Sequence, residues 1–199
     1  MNIKAILWDF SGVLLIPTDG RGNDYYAKSL GITAEILDAY QQSDLNRRVN
    51  LGEITSTEFY RTILSEQGIE LNRLSQREKI FFEAFQANTP LIQFIRTIPK
   101  TIKLSLLSNY SNSLRPILEN TLKIADLFDE IIISSEVKLL KPEKEIFQLA
   151  FNRLGARPQE TIFIDDTAEN TTAAAELGIH AIPYCDNAQI ISAINEIIS

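Results

Sequence analysis

The sequence predicts an α/β fold, a doubly wound parallel sheet of Rossmann-like type interrupted early by a helical insertion, and three observations predict it. The chain opens on a short apolar run that ends abruptly in a carboxylate and a turn, Ala5-Ile6-Leu7-Trp8-Asp9-Phe10-Ser11-Gly12. Roughly seventy residues follow in which apolar positions recur at helical spacing. Beyond residue 88 strand-like and helix-like segments alternate, and strands separated by single helices imply right-handed crossovers and a parallel sheet sandwiched by helices.

In order, the first strand ends at Asp9, and Gly12 marks a tight turn at its C-terminal edge. Ligands of open α/β sheets bind beyond the carboxyl ends of the strands, so Asp9 reads as a nucleophile, a metal ligand, or an aspartate that closes the turn by hydrogen bonding. Between Asn23 and Ala87 the spacing of Ile32, Ile36, Leu37 and Tyr40, of Phe59, Ile63 and Leu64, and of Ile80, Phe81, Ala84 and Phe85 is helical, with no strand expected. Tyr25-Tyr26 and Phe81-Phe82 fit core faces of these helices. Thr55 with Glu58, and Ser75 with Glu78, each read as a capping box in which side chain and backbone satisfy one another. Thr89-Pro90 then opens a helix to about residue 98, 103–107 reads as a strand and 112–122 as a helix. Strand 130–133 follows, then a helix opened by Pro142 and running to Leu154, strand 161–164, helix 168–177, strand 179–182 and a last helix from about Asn187. The predicted division is a core of 1–17 and 88–199 and a helical insertion of 18–87.

With 199 residues, 45% hydrophobic and 23% charged, the chain suits one sizeable core and a smaller appended unit. A net charge of -7 opposes binding to nucleic acid or to an anionic membrane. One cysteine, Cys185, and one histidine, His180, leave no intramolecular disulfide and no Cys/His metal cluster, as fits a reducing cytoplasm. The first apolar run is too short for a membrane span, and it carries Asp9 where a signal peptide would have small residues. His180, Trp8 and Cys185 read as packing or surface residues.

Strand ends carry the chemistry. Asp9 closes the first strand, Ser108-Asn109 the second core strand and Asp165-Asp166 a third, while Lys141-Pro142 lies where a helix begins. Parallel strands point their ends one way, so these groups converge on one crevice. Crowded carboxylates repel unless a cation intervenes, and Asp9 with Asp165 suits Mg²⁺, which takes one or two carboxylates besides water and phosphate. Lys141 would neutralise nucleophile and phosphate together, and Ser108 with the amides after it would bond phosphoryl oxygens.

The order Asp9…Ser108…Lys141-Pro142…Asp165-Asp166, with the insertion after the first motif, resembles the haloacid dehalogenase-like hydrolase superfamily in its C1-capped branch, over nearly the whole chain. Leu51-Gly52-Glu53-Ile54-Thr55, Lys141-Pro142-Glu143, Ile146-Phe147 and Asp165-Asp166…Asn170 are similar to the N-terminal phosphatase domain of soluble epoxide hydrolases and to bacterial sugar-phosphate phosphatases. The resemblance implies an aspartyl-phosphate mechanism with Asp9 as nucleophile. It implies Mg²⁺ held by Asp9, the backbone carbonyl of Ser11 and Asp165, with Asp166 nearby. Phosphate would be bound by Ser108, Asn109 and Lys141, and Asn170 would orient Lys141 or Asp166. The insertion would be a cap closing over a small phosphorylated metabolite. Arg47 and Arg48 are then either a solvated helix end or a reach toward the substrate's second anionic or hydroxyl group.

The chain departs from the family at Ser11, where its phosphatases usually carry a second Asp that serves as general acid and base. That places a factor of roughly 10²–10⁴ at risk, least for leaving groups of low pKa. The leading function is a Mg²⁺-dependent phosphatase; the alternatives are a metal-independent dehalogenase and a catalytically silent phosphate- or partner-binding protein. The family's dehalogenases lack the acidic pair, so Asp165-Asp166 favours phosphate over halide.

Overall fold

The computed structural model describes residues 2–198, so Met1 and Ser199, the outer ends of the predicted core segments, lie outside the described residues. Its strands are β1 (Ala5–Trp8), β2 (Leu15–Pro17), β3 (Phe85–Ala87), β4 (Lys103–Ser108), β5 (Glu130–Ile133), β6 (Thr161–Asp165) and β7 (His180–Pro183). Five form a parallel sheet in the order β5-β4-β1-β6-β7, which makes β1 the central strand and confirms the doubly wound α/β class. Trp8 is in register with Leu106 on one side and Ile164 on the other, so Asp9 emerges level with Asp165.

The 23–87 region is helical but not free of strand. Helices α1 (Gly22–Leu30), α2 (Ala34–Gln41), α3 (Asp44–Asn50), α4 (Ser56–Glu66) and α5 (Arg77–Ala84) collapse on an apolar cluster of their own that includes Tyr26, Leu30, Leu37, Phe59, Ile63 and Leu64. The expectation of no strand is overturned by β3, which pairs antiparallel with β2, Leu15 opposite Ala87 and Pro17 opposite Phe85. Three-residue strands are too short for alternation to show in the sequence. The Thr55–Glu58 capping box forms, with Glu58 N donating to Thr55 Oγ1 at 3.1 Å and Thr55 N to Glu58 Oε2 at 2.7 Å. The Ser75–Glu78 box does not. A 3₁₀ turn, Leu71–Gln76, precedes α5, and Ser75 Oγ donates within it to Asn72 O at 2.7 Å.

Past β3, α6 (Thr89–Ile95), α7 (Leu114–Pro116), α8 (Ser134–Val137), α9 (Lys144–Leu154), α10 (Ala168–Glu176) and α11 (Asn187–Ile198) complete the chain. Alternation along the strands sends Ile6, Trp8, Leu106 and Ile164 to one face, under α6 and α11, and Leu7, Leu107 and Phe163 to the other, under α9 and α10. Burying each such side chain stabilises the fold by roughly 1.5–3 kcal/mol. The helix expected over 112–122 is only α7 followed by a wide turn, Ile117–Thr121, since Pro116 has no N–H with which to continue the ladder. Pro142 also lies outside its helix, which starts at Lys144, because the Lys141 main chain is held elsewhere. Among the described residues, no helix is long and apolar enough to cross a membrane.

Asn88, fully buried, fastens the chain where it returns from the helices. Its Nδ2 lies 2.9 Å from Val13 O, 2.8 Å from Asn187 Oδ1 and 3.0 Å from Tyr184 Oη, and Asn187 Nδ2 donates back to Asn88 Oδ1 at 2.9 Å. Asn88→Ala would leave the Val13 carbonyl without this donor and is expected to cost about 1–3 kcal/mol. Urea denaturation checks this as a lower midpoint at unchanged slope; an unaltered midpoint would mean that the network adds nothing to stability.

Candidate active site

Asp9 is the first residue beyond the central strand, and its N–H donates to Ile164 O at 2.9 Å, so its main chain is tied to β6. Lys141 arrives from the loop between α8 and α9. Asn109, just past β4, clamps it: Lys141 N donates to Asn109 Oδ1 and Asn109 Nδ2 to Lys141 O, each at 2.8 Å. The ammonium is thereby delivered 2.8 Å from Asp9 Oδ1 and 2.6 Å from Asp165 Oδ2, in a residue only 4% exposed. Asp165 is wholly buried, and it also accepts from Thr167 N at 2.8 Å and, on both oxygens, from Asn170 Nδ2 at 3.1 Å.

Asp166 completes the acidic group, since one oxygen from each of Asp9, Asp165 and Asp166 lies within 4.8 Å of the others. Its carboxylate is pressed on Gly12, where a Cβ would come within 2.1 Å of Asp166 Oδ2. Gly12 also has a φ of 79°, so both space and conformation demand glycine there.

Burial pushes the Asp9 carboxyl up to about 6; Lys141 opposes the rise and the neighbouring Asp165 adds to it. Burial acts to lower the Lys141 pKa, but Asp9 and Asp165 together outweigh it and hold the ammonium above its ordinary value. Asp166 is raised as well, by desolvation and then by Asp165. One buried ammonium does not balance three carboxylates, and a set of hard oxygen donors with residual negative charge fits a divalent cation of the Mg²⁺ type.

A cavity of about 880 Å³ opens between this edge and the helical insertion. Of the predicted site residues, Asp9, Ser11, Ser108, Asn109, Lys141, Asp166 and Asn170 line it, and Asp165 lies behind them. Two side chains differ from expectation in their partners. Asn109 turns both ends of its amide to the Lys141 main chain, and Asn170 bonds Asp165 instead of Lys141 or Asp166. Arg47 and Arg48 do not line the cavity; Arg47 stands 3.5 Å from Glu143 and Arg48 3.5 Å from Glu53. The cavity is also lined by residues that the sequence pattern did not single out for the site. Tyr60 and Arg77 come from the insertion, as does Tyr26, at once core and cavity wall, and Tyr110 comes from the loop after β4. Their sequence separation, and the helical spacing that already accounts for Tyr26, left no local signal.

A parallel sheet with a carboxylate at the end of its central strand thus brings a buried lysine and an acidic pair to the same edge of one cavity. The chain belongs to the haloacid dehalogenase-like hydrolase family, whose model matches residues 3–178. It is 26% identical to the D-ribitol-5-phosphate phosphatase of Bacteroides thetaiotaomicron over 88% of this chain and 89% of that one. It is also 26% identical to the bifunctional epoxide hydrolase 2 of Sus scrofa, over 92% of this chain but only 36% of that protein, so the chain spans about a third of the length of that relative. Among solved structures, a family enzyme from Bacteroides thetaiotaomicron in complex with magnesium and inorganic phosphate superposes with a TM-score of 0.75 at 27% identity, covering 92% of this chain and 94% of that one.

The Asp9 carboxyl binds its proton more tightly in the folded chain, to about 6, than at its ordinary value of 3.8. Between those pH values the folded state holds more protons, so the contribution of Asp9 to stability falls as pH rises. In metal-free protein, Asp9→Asn should therefore gain stability relative to wild type from pH 4 to pH 7, by on the order of 2 kcal/mol. Urea titrations of both proteins at the two pH values measure this, and a pH-independent difference would contradict the assigned burial of charge.

Proposed function

We propose that the protein is a phosphatase for a small phosphorylated metabolite, working through a covalent aspartyl-phosphate at Asp9. The observation that carries the reading is the Lys141 bridge. It holds an ammonium against Asp9 at the cavity edge, where nucleophile and phosphoryl group would otherwise repel each other. The similarity to a phosphatase of comparable length, and to an enzyme crystallised with magnesium and phosphate, supports the same chemistry.

In the first step an Asp9 oxygen attacks phosphorus and the bond to the ester oxygen breaks, leaving an alkoxide that must take up a proton. Water then attacks phosphorus, releases inorganic phosphate and regenerates the carboxylate. Ser108 donates its hydroxyl to a phosphoryl oxygen, and Lys141 neutralises charge in both steps. Asn109 and Asn170 are positioning residues that act through Lys141 and Asp165. Asp9, the Ser11 carbonyl and Asp165, with Asp166 beside them, would hold magnesium, which when bound supplies Lewis-acid neutralisation of the phosphoryl oxygens. Residues 18–87 act as the cap, and the cavity of about 880 Å³ between it and the sheet edge suits a substrate of metabolite size. Cys185, exposed and unpaired, suits the cytoplasm as the place of action.

Ser11 offers a hydroxyl where general acid–base catalysis needs a carboxyl, so esters with good leaving groups should turn over best. Turnover of an aryl phosphate is expected to require Mg²⁺ and to vanish in Asp9→Asn while the circular dichroism spectrum is retained. Full activity of that variant, or of wild type in excess chelator, would refute the mechanism. Ser11→Asp should raise kcat/KM for a sugar phosphate by up to about 10²–10⁴-fold at saturating Mg²⁺, and less for an aryl phosphate. If neither substrate gains while Mg²⁺ still binds, the native protein takes its proton from another group or serves to bind phosphate without turnover.

A further inference from the structure

We infer that Arg77, with the hydroxyls of Tyr26, Tyr60 and Tyr110, receives a second anionic group of the substrate, so that the favoured substrates are phosphate monoesters carrying another oxyanion at their far end. The inference rests on the phosphatase reading for the near end of the cavity and extends it to the far end.

Charge is the first ground. Two cations line the cavity, Lys141 and Arg77, and Lys141 is already engaged by Asp9 and Asp165. Arg77 makes no ion pair among the described residues. Its guanidinium lies over the Tyr60 ring, 5.0 Å from the centroid. Stacking of that kind fixes the plane of the group while leaving its N–H edges for a ligand, and a planar fork of donors matches a carboxylate or phosphate. In a protein of net charge -7 an arginine facing a cavity with no carboxylate against it is poised for an anion from outside.

The second ground is an unmet hydrogen bond. Tyr26 is only 2% exposed and lines the cavity, yet its hydroxyl has no hydrogen-bond partner among the described residues. The Tyr60 hydroxyl and Arg77 both lie close enough to act on its pKa as hydrogen-bonding neighbours, yet no bond of standard geometry is made to either. A buried hydroxyl left in this state is destabilising, and a ligand oxygen seated beside Arg77 would relieve it. Burial raises the pKa of all three tyrosines while the charge of Arg77 opposes the rise, so they stay protonated donors and all feel that cation. Arg47 and Arg48, the arginines that the sequence offered for this task, are turned to Glu143 and Glu53.

Arg77 also borders a smaller cavity with Tyr110 and Asn112, so the rival role is a tie between the insertion and the β4 loop. Calorimetry with Mg²⁺ separates the two, using alkyl phosphonates and ω-carboxyalkyl phosphonates with two to four methylenes, which bind without being hydrolysed. In wild type the added carboxylate is expected to tighten binding by about 10- to 100-fold at the chain length that spans the cavity. Arg77→Gln should abolish that preference while changing the affinity for plain alkyl phosphonates less than about threefold, and Arg77→Lys should restore part of it. Tyr26→Phe, which keeps the ring in the core, should reduce the preference without affecting plain phosphonates. Equal affinity of wild type for the two series overturns the inference, as does an Arg77→Gln variant that weakens both alike. If neither series binds wild type, the phosphate reading fails and this inference falls with it.

Discussion

Everything at the site depends on one ammonium held out of water between two carboxylates. Lys141 is almost completely buried, and what keeps it charged there is the pair formed by Asp9 and Asp165. The dependence is mutual. A buried charge pair broken from one side leaves the other charge uncompensated, at a cost of roughly 3–5 kcal/mol. Three segments far apart in sequence are thereby required to meet at one point: the ends of β1 and β6 and the loop before α9. Asn109 and Asn170 strengthen the requirement, since one grips the Lys141 main chain and the other both oxygens of Asp165. The result is a preorganised arrangement that does not have to be assembled when a ligand arrives.

The two walls of the cavity have different physical characters. On the sheet edge, polar groups sit at the ends of hydrogen-bonded strands and are fixed by the register of the core. Facing them is a wall made of helix side chains with their own apolar cluster, in which Tyr26 serves both packing and lining.

The core and the convergence of its strand-end polar groups were legible in the sequence because both rest on long-range regularities. Apolar strands of four to six residues and helices of nine or more leave a period that can be read, and a parallel sheet obliges Asp9, Ser108 and Asp165 to share an edge. What escaped was decided by short segments and by side-chain direction. The three-residue strands β2 and β3 have no readable alternation, and Ser75 satisfied its own turn instead of capping a helix. The partners of Asn109 and Asn170 are matters of rotamer. Arg77 and Tyr110 meet through tertiary packing alone, and nothing in the text between them announces the encounter.

The small ribbon of β2 and β3 has a consequence for how such a chain can change. Pro17 and Phe85 are register partners, so the whole helical segment leaves the core and returns to it at one spot. A segment whose two ends coincide imposes no span on the scaffold that carries it. It can lengthen, shorten or be exchanged for another without altering the distance that the core must bridge, and the entropy of closing the longer loop grows only slowly with its length. Sheet edge and helical wall can therefore vary as separable parts of one gene, joined by a two-stranded socket.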